Sequence, residues 1–288
     1  MIIKSFDMSV DYAGLSSNQP NETAKLTSYI LEPELVSKTL WNKRPAVIVC
    51  AGGGYRSRSS REAETIVLKY CAAGFHGFLL DYSIEPTGWP APTCELSKAV
   101  KTVRAIADEY FIDPDKIFVC GFSAGGHLAA SLGVYWDLPM IQKGSEATGE
   151  ENKPNGLILC YPVIIEDDGK THDGTKQRFT EGKPEKLEYF GLDKHVTSNT
   201  PKSFIWHTFE DSSVPVYSSM RFASALLEHG VEYELHIYPK GKHGLSLGNK
   251  LTGCEEKHFV PGVTGWMELS INWINLSLIH ISEPTRPY

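Results

Sequence analysis

Hydrophobic positions along this chain switch between two periods. Short, mostly apolar runs recur at 45–50 (Pro-Ala-Val-Ile-Val-Cys), 77–82, 116–120, 156–161 and 203–207. Runs of that length, rich in β-branched and aromatic residues, predict strands covered on both faces. Between them, apolar residues fall three and four apart, as in Ile66, Val67, Tyr70 and Cys71, and again from Leu96 through Ala99, Val100, Val103, Ile106 and Ala107 to Tyr110. A third set holds Met220, Ala223, Leu226 and Leu227. Each set predicts a helix with those residues turned inward. Ser59 and Glu62 have the spacing of a capping box ahead of the first helix. Residues 4–10 and 24–32 predict an antiparallel opening hairpin, 233–238 a last alternating strand, and Trp266 to Ile274 a closing amphipathic helix. The stretch 166–200 is polar and irregular, which predicts an insertion over one end of the sheet. Repeated strand–helix units imply one α/β domain, 1–277, with a mostly parallel sheet and helices on both faces. Sites in such sheets lie at the carboxyl ends of the strands, which gathers the loops after residues 50, 120, 160, 207 and 238 on one rim.

Composition narrows the partners. The 288 residues carry a net charge of −7 with no basic run, which argues against nucleic acid or an anionic membrane as partner. No apolar run reaches the roughly 18 residues of a membrane span. The opening Met-Ile-Ile-Lys-Ser-Phe-Asp lacks a charged n-region followed by an apolar h-region, so a cytoplasmic location is expected. The six cysteines form no C-x-x-C pair, and no histidine pair has metal-ligand spacing; buried free thiols and a reaction without metal or organic cofactor are expected. Residues 278–288 fit no element and read as a non-native tail, like translated vector sequence. Nothing in the sequence selects between a monomer and a homo-oligomer.

The chemistry starts at Gly121-Phe122-Ser123-Ala124-Gly125. A strand before it and a helix-forming run after it make this a nucleophile elbow, in which glycines permit a sharp turn that lifts the Ser123 hydroxyl above the sheet. A serine needs a base, and the base needs an orienting carboxylate. His243 follows the last strand in Gly241-Lys242-His243-Gly244, at the catalytic rim, where the base is expected. After the strand at 203–207 stand two neighbouring carboxylates, Glu210 and Asp211. Asp211 is the preferred orienter for its shorter side chain; the other reading makes it a helix cap and gives the role to Glu210. Gly52-Gly53-Gly54 follows the strand at 45–50, where backbone N–H groups turned inward complement that of Ala124 in an oxyanion hole. His76, His127 and His207 are read as structural.

With these pieces the chain resembles the hormone-sensitive-lipase-like branch of the α/β-hydrolases. Within them it looks most like bacterial acetyl esterases and acetyl xylan esterases related to bifunctional feruloyl esterases. The resemblance runs from about residue 20 to 275. It is carried by Gly52-Gly53-Gly54-Tyr55, the elbow through Gly126-His127, Trp206 to Pro215, and Gly241-Lys242-His243-Gly244. It implies Ser123 as nucleophile, Asp211 as acid, His243 as base, and Gly53, Gly54 and Ala124 as oxyanion donors. One departure is Ala51, where lipase-like members carry His before the three glycines. Tyr55, Trp89 and Tyr161 lie in rim loops and are candidates to stack on a sugar or close an acyl pocket; packing is the other reading. The resemblance implies a short acyl group, acetyl foremost, on a xylan-type oligosaccharide, with a general small ester, a feruloyl ester or, less favoured, a peptide bond as alternatives.

Overall fold

The computed structural model describes residues 1–16, 18–32, 42–167 and 169–279. Within them the apolar runs become strands β1 (Ser5–Asp7), β2 (Lys25–Tyr29), β3 (Arg44–Cys50), β4 (His76–Asp81), β5 (Ile112–Phe122), β6 (Gly156–Cys160), β7 (Ser203–Thr208) and β8 (Tyr233–Tyr238). They form one sheet in the order β1-β2-β4-β3-β5-β6-β7-β8. The opening hairpin is antiparallel and β2 meets β4 antiparallel, while every pair from β4 onward is parallel. Register brings the carboxyl ends together: Cys50 lies opposite Gly121, Phe122 opposite Cys160, and Cys160 opposite Trp206. The predicted rim therefore exists.

Side chains of β3 leave the strand alternately, Ala46, Ile48 and Cys50 into one apolar layer and Val47 and Val49 into the other. Both layers are sealed by helices, which is why the run is apolar at every position. The helices are α1 (Tyr12–Leu15), α2 (Glu64–Ala72), α3 (Ala91–Ala105), α4 (Ala107–Tyr110), α5 (Ala124–Tyr135), α6 (Pro139–Ser145), α7 (Asp173–Thr180), α8 (Tyr217–Glu228) and α9 (Trp266–Ile279). Leu96 and Val100 of α3, Leu128 and Leu132 of α5, and Phe222 and Leu226 of α8 fill the first layer. Ile66, Val67 and Tyr70 of α2 and Trp266, Trp273 and Ile274 of α9 fill the second.

Four expectations change. The helix read from Leu96 to Tyr110 breaks at Ile106, which caps α3 before the short α4. In α8 the inward face is Ser218, Ser219, Phe222, Ala223, Ala225 and Leu226, and Met220 and Leu227 point outward, 49% and 66% exposed. Small serines next to the strands allow α8 to sit close, with Leu226 turned inward while Met220 and Leu227 face solvent. The stretch 166–200 is ordered by α7 and by 3-10 turns at Pro184–Tyr189 and Leu192–Lys194. Finally, α9 extends to Ile279, so the first two residues of the expected tail are helical; residues 280–288 lie outside the described residues.

His127, read as structural, is buried in the first layer. Its Nδ1 is 3.1 Å from the Tyr55 hydroxyl, its Nε2 is 3.1 Å from the Phe190 carbonyl, and its ring stacks on Phe190. Burial pushes its pKa down to about 4, against a smaller upward pull from the Phe190 carbonyl. Between pH 6.5 and 4 the unfolded chain thus binds a proton that the folded chain refuses, so this residue costs stability as the pH falls through that window. The shift corresponds to about 3 kcal/mol. The stability advantage of wild type over His127→Gln in urea unfolding is expected to be largest near pH 7.5 and to shrink toward pH 4; an advantage that stays constant would show that the imidazole protonates without penalty.

Candidate active site

The elbow is strained as its role demands. Ser123 has φ 52° and ψ −115°, a region that costs a non-glycine residue of order 1–3 kcal/mol. The turn persists because its backbone is held on both sides: Ser123 N–H donates to the Cys160 carbonyl at 3.0 Å, and the Ser123 carbonyl accepts from His127 N–H at 3.0 Å and Val163 N–H at 3.2 Å. The hydroxyl stands 2.7 Å from His243 Nε2.

His243 comes from the loop after β8, between Gly241 and Gly244, both with positive φ. Its Nδ1 lies 2.6 Å from Asp211 Oδ2. Asp211 also closes the turn leading to α8: Oδ1 accepts from Ser213 N–H at 3.0 Å and Val214 N–H at 2.9 Å. One oxygen thus serves the turn and the other faces the imidazole, while the helix-cap reading is not met: the residue that caps α8 is Val216, with no side-chain cap bond. Burial works to raise the Asp211 pKa, but hydrogen bonds from His207, His243 and the Val214 N–H, with the attraction of His243, hold it well below the usual carboxylate range. His207, 3.3 Å from Oδ2, also reaches the Val214 carbonyl at 2.8 Å and so steadies the carboxylate from behind. Glu210 faces away, pairing with Lys240 at 2.6 Å and accepting from Gly241 N–H at 3.3 Å.

The glycine loop packs directly on the elbow. A Cβ on Gly52 would lie 2.8 Å from the Phe122 carbonyl and 3.0 Å from Ser123 Cβ; one on Gly53, at φ 134°, would lie 2.1 Å from the Ser57 carbonyl. The N–H groups of Gly53, Gly54 and Ala124 donate to nothing among the described residues. Gly53 and Gly54 border the same cavity of about 550 Å³ as Ser123 and His243. Free donors beside a serine are what an oxyanion requires.

Glu62, read as half of a capping box, does something else. Ser59 makes no side-chain cap, and the Glu62 carboxylate turns inward instead. It accepts from Gly52 N–H at 2.9 Å and from the Tyr161 hydroxyl at 2.7 Å, and that hydroxyl accepts from Ser246 N–H at 2.9 Å. One buried carboxylate thereby ties together the glycine loop, the loop after β6 and the histidine loop. Tyr82 adds a 2.6 Å bond from its hydroxyl to the Ala51 carbonyl. These two supports stand where Ala51 supplies no side-chain hydrogen bond. Glu62→Ala is expected to lower kcat by about a hundredfold, the scale of losing one oxyanion donor, with a much smaller change in KM. Steady-state kinetics beside a melting curve check this; a folded variant with unchanged kcat would show that the loop holds its shape alone.

The three aromatic candidates are corrected. Tyr55, Trp89 and Tyr161 are only 2%, 2% and 1% exposed. Tyr55 bonds His127, Trp89 stacks among Phe179, Tyr189 and Tyr135, and Tyr161 anchors Glu62 with its ring 5.1 Å from that of His243. Aromatic residues in rim loops paid no visible periodicity penalty in the sequence, yet the insertion covers the first two of them. The cavity wall is instead formed by Arg56, Arg61, His172 and Arg178, beside glycines, serines and Glu62. His172 caps α7 by accepting from Thr175 N–H at 3.1 Å, and burial, then His243 and Arg178, push its pKa down.

All six cysteines are free, five buried and Cys254 exposed. Cys254, Glu255 and His258 bring one ligand atom each within 4.8 Å of one another, the one such group among the described residues. Their closeness has a local cause: Glu255 and His258 form a capping box, so the His258 Nδ1 lone pair is taken by Glu255 N–H at 3.2 Å and the carboxylate by the His258 backbone. Lys257 pairs with the same carboxylate at 2.8 Å. An ion would have to displace all three. No described helix is long and apolar enough to cross a membrane.

Comparison with known proteins finds esterases and related hydrolases. The family profile described as BD-FAE matches residues 35–161 and that of the prolyl oligopeptidase family residues 167–259. The chain is 37% identical over 241 residues, 80% of its length, to endo-1,4-beta-xylanase B of Butyrivibrio fibrisolvens, and 29% identical over 70% of its length to an acetylxylan esterase of Xylanibacter ruminicola. It spans 37% and 41% of those two proteins. Among solved structures, an acetyl ester-xyloside bifunctional hydrolase from Caldicellulosiruptor lactoaceticus superposes with TM-score 0.78 at 32% identity, covering 95% of this chain and 96% of that one. A carboxylesterase from Lactobacillus plantarum gives 0.82 at 25% identity, covering 97% and 98%. Sheet order, elbow and relatives agree: the chain belongs to the α/β-hydrolases, in the group that holds these esterases.

Proposed function

We propose that this chain is a serine esterase that removes short acyl groups, acetyl foremost, from xylan-type oligosaccharides. The observation that carries the proposal is the unbroken relay from Ser123 Oγ through His243 to Asp211, at 2.7 and 2.6 Å, beside backbone donors that have no other partner among the described residues. His243 Nε2 takes the Ser123 proton as Oγ attacks the ester carbonyl, and the Gly53, Gly54 and Ala124 N–H groups receive the oxyanion. The imidazolium, held by Asp211, then protonates the leaving alkoxide, and water repeats the sequence on the acyl-enzyme. The wall of the cavity favours a small acyl group: none of its described lining residues is aliphatic or a Phe, Tyr or Trp. A fatty chain or a feruloyl ring would find no aliphatic or aromatic hydrocarbon side chain among the described lining residues to pack against. The polysaccharide class rests on the relatives, three of which carry xylan or xyloside in their names.

The test is acetate release from acetylated xylo-oligosaccharides, run beside 4-nitrophenyl esters of increasing chain length. Efficient acetate release with kcat/KM falling steeply from the acetyl to the octanoyl ester is expected. Preference for the longer ester would overturn the short-acyl reading, and hydrolysis of the 4-nitrophenyl ester alone would overturn the oligosaccharide.

A further inference from the structure

Three guanidinium groups border the cavity that holds Ser123 and His243, those of Arg56, Arg61 and Arg178. Their counter-charges are unevenly shared. Arg178 pairs with Glu85 at 2.5 Å and spends its remaining bonds on the Gly174 carbonyl at 2.9 Å and the Gly54 carbonyl at 3.4 Å. Arg56 meets the same Glu85 only at 3.9 Å, with its side chain 73% exposed. Arg61 has no carboxylate within ion-pair distance among the described residues: Nε donates to the Thr252 carbonyl at 2.5 Å, and Nη2 is buried without a hydrogen-bond partner. The other acids nearby are committed, Glu62 to Gly52 and Tyr161, and Asp211 to His243.

Nη2 is closed off by the protein, so a ligand in the cavity meets the rest of the Arg61 guanidinium, a cationic group on the wall with no carboxylate beside it among the described residues. Holding such a charge without a counter-ion is unfavourable, and an anionic ligand offsets that cost. A neutral sugar offers hydroxyls that water replaces equally well. A carboxylate offers two oxygens matched to the planar guanidinium fork, in charge-assisted bonds about twice as strong as neutral ones. With no aliphatic, Phe, Tyr or Trp side chain among the described lining residues, charged and polar side chains are the main recognition groups this cavity presents.

We infer that the preferred substrates carry a carboxylate outside the acyl group, as in an acetylated oligosaccharide bearing a uronic acid, and that Arg56 and Arg61 receive it. The inference rests on the esterase reading of the same site. The acyl carbonyl sits at Ser123, and the acidic substituent lies toward Arg61 and Arg56 on the wall.

The experiment compares kcat/KM for acetate release from acetylated xylo-oligosaccharides bearing a uronic acid and from the same material after the carboxyl is reduced to the alcohol. Wild type is expected to favour the acidic form by about tenfold or more, the range of a charge-assisted pair. The preference should collapse toward parity in Arg56→Gln/Arg61→Gln, and in wild type at an ionic strength of about 0.5 M. The salt series needs no variant, and Arg56→Gln alone, on an exposed side chain, should already reduce the ratio. Equal rates on the two forms by wild type, or a preference that survives in the folded double variant, overturn the inference and leave the esterase reading standing. Turnover of neither form overturns both.

Discussion

Ser123→Ala is expected to lower kcat on 4-nitrophenyl acetate by about a millionfold, the size of loss when a serine nucleophile is removed from an intact relay. Only Oγ is lost. The bonds that hold the turn run from the Ser123 backbone to Cys160, His127 and Val163, so the melting temperature should change little. What remains is the activity that backbone donors and binding supply by themselves. The absence of a burst of 4-nitrophenol in the variant, against a stoichiometric burst in wild type, would tie the loss to the acyl-enzyme. A variant that kept more than about one per cent of wild-type kcat would remove Ser123 from the reaction, because general effects of the pocket do not reach that level once the nucleophile is gone.

Asp211→Asn carries the second largest effect, a fall of about 10⁴-fold in kcat. The asparagine oxygen can keep the turn by accepting from the Ser213 and Val214 N–H groups, which now bond Oδ1. Its amide nitrogen then faces His243 Nδ1 and His207 Nε2, both of which bond Oδ2 in the wild type. A donor at that position selects the His243 tautomer protonated on Nε2, which cannot accept the Ser123 proton. Glu210→Ala removes only the pairing with Lys240 and the bond from Gly241, and should leave kcat within roughly fivefold, as befits an exposed ion pair. The reverse pattern would transfer the orienting role to Glu210.

The elements that read clearly in the sequence are those whose signal is local. An elbow is a five-residue pattern with a strand before it and a helix after it, and the chain order of Ser123, Asp211 and His243 follows from which strand ends they occupy. Glu62 shows the limit. Its spacing from Ser59 is that of a helix start, whereas its partners Gly52 and Tyr161 are ten and ninety-nine residues away in the chain. Nothing in a neighbourhood of four residues separates these two uses of a carboxylate. The fate of Tyr55 and Trp89 was hidden for a similar reason, since Phe179 and Tyr189, which cover Trp89, come from the stretch 166–200, whose polar, irregular sequence predicted an insertion without showing which side chains it buries. In α8 the apolar residues Met220 and Leu227 outweigh Ser218 and Ser219 in any periodicity count, although it is the serines that touch the sheet layer. The arginines of the cavity wall, drawn from the glycine loop, the 3-10 turn at Ser60–Glu62 and α7, share no motif at all.

The stretch between β6 and β7 contributes His172, Gly174 and Arg178 to the wall, yet no member of the proton relay. The wall is therefore drawn from two separate lengths of polypeptide, the segment with Gly53, Gly54, Arg56 and Arg61 and the stretch between β6 and β7, joined across the cavity by Arg178 and the Gly54 carbonyl. Such a division gives the fold an evolutionary hinge. Descendants can recast one side of the cavity by rewriting the stretch 166–200, while the strand ends that carry Ser123, Asp211 and His243 pass through the change intact.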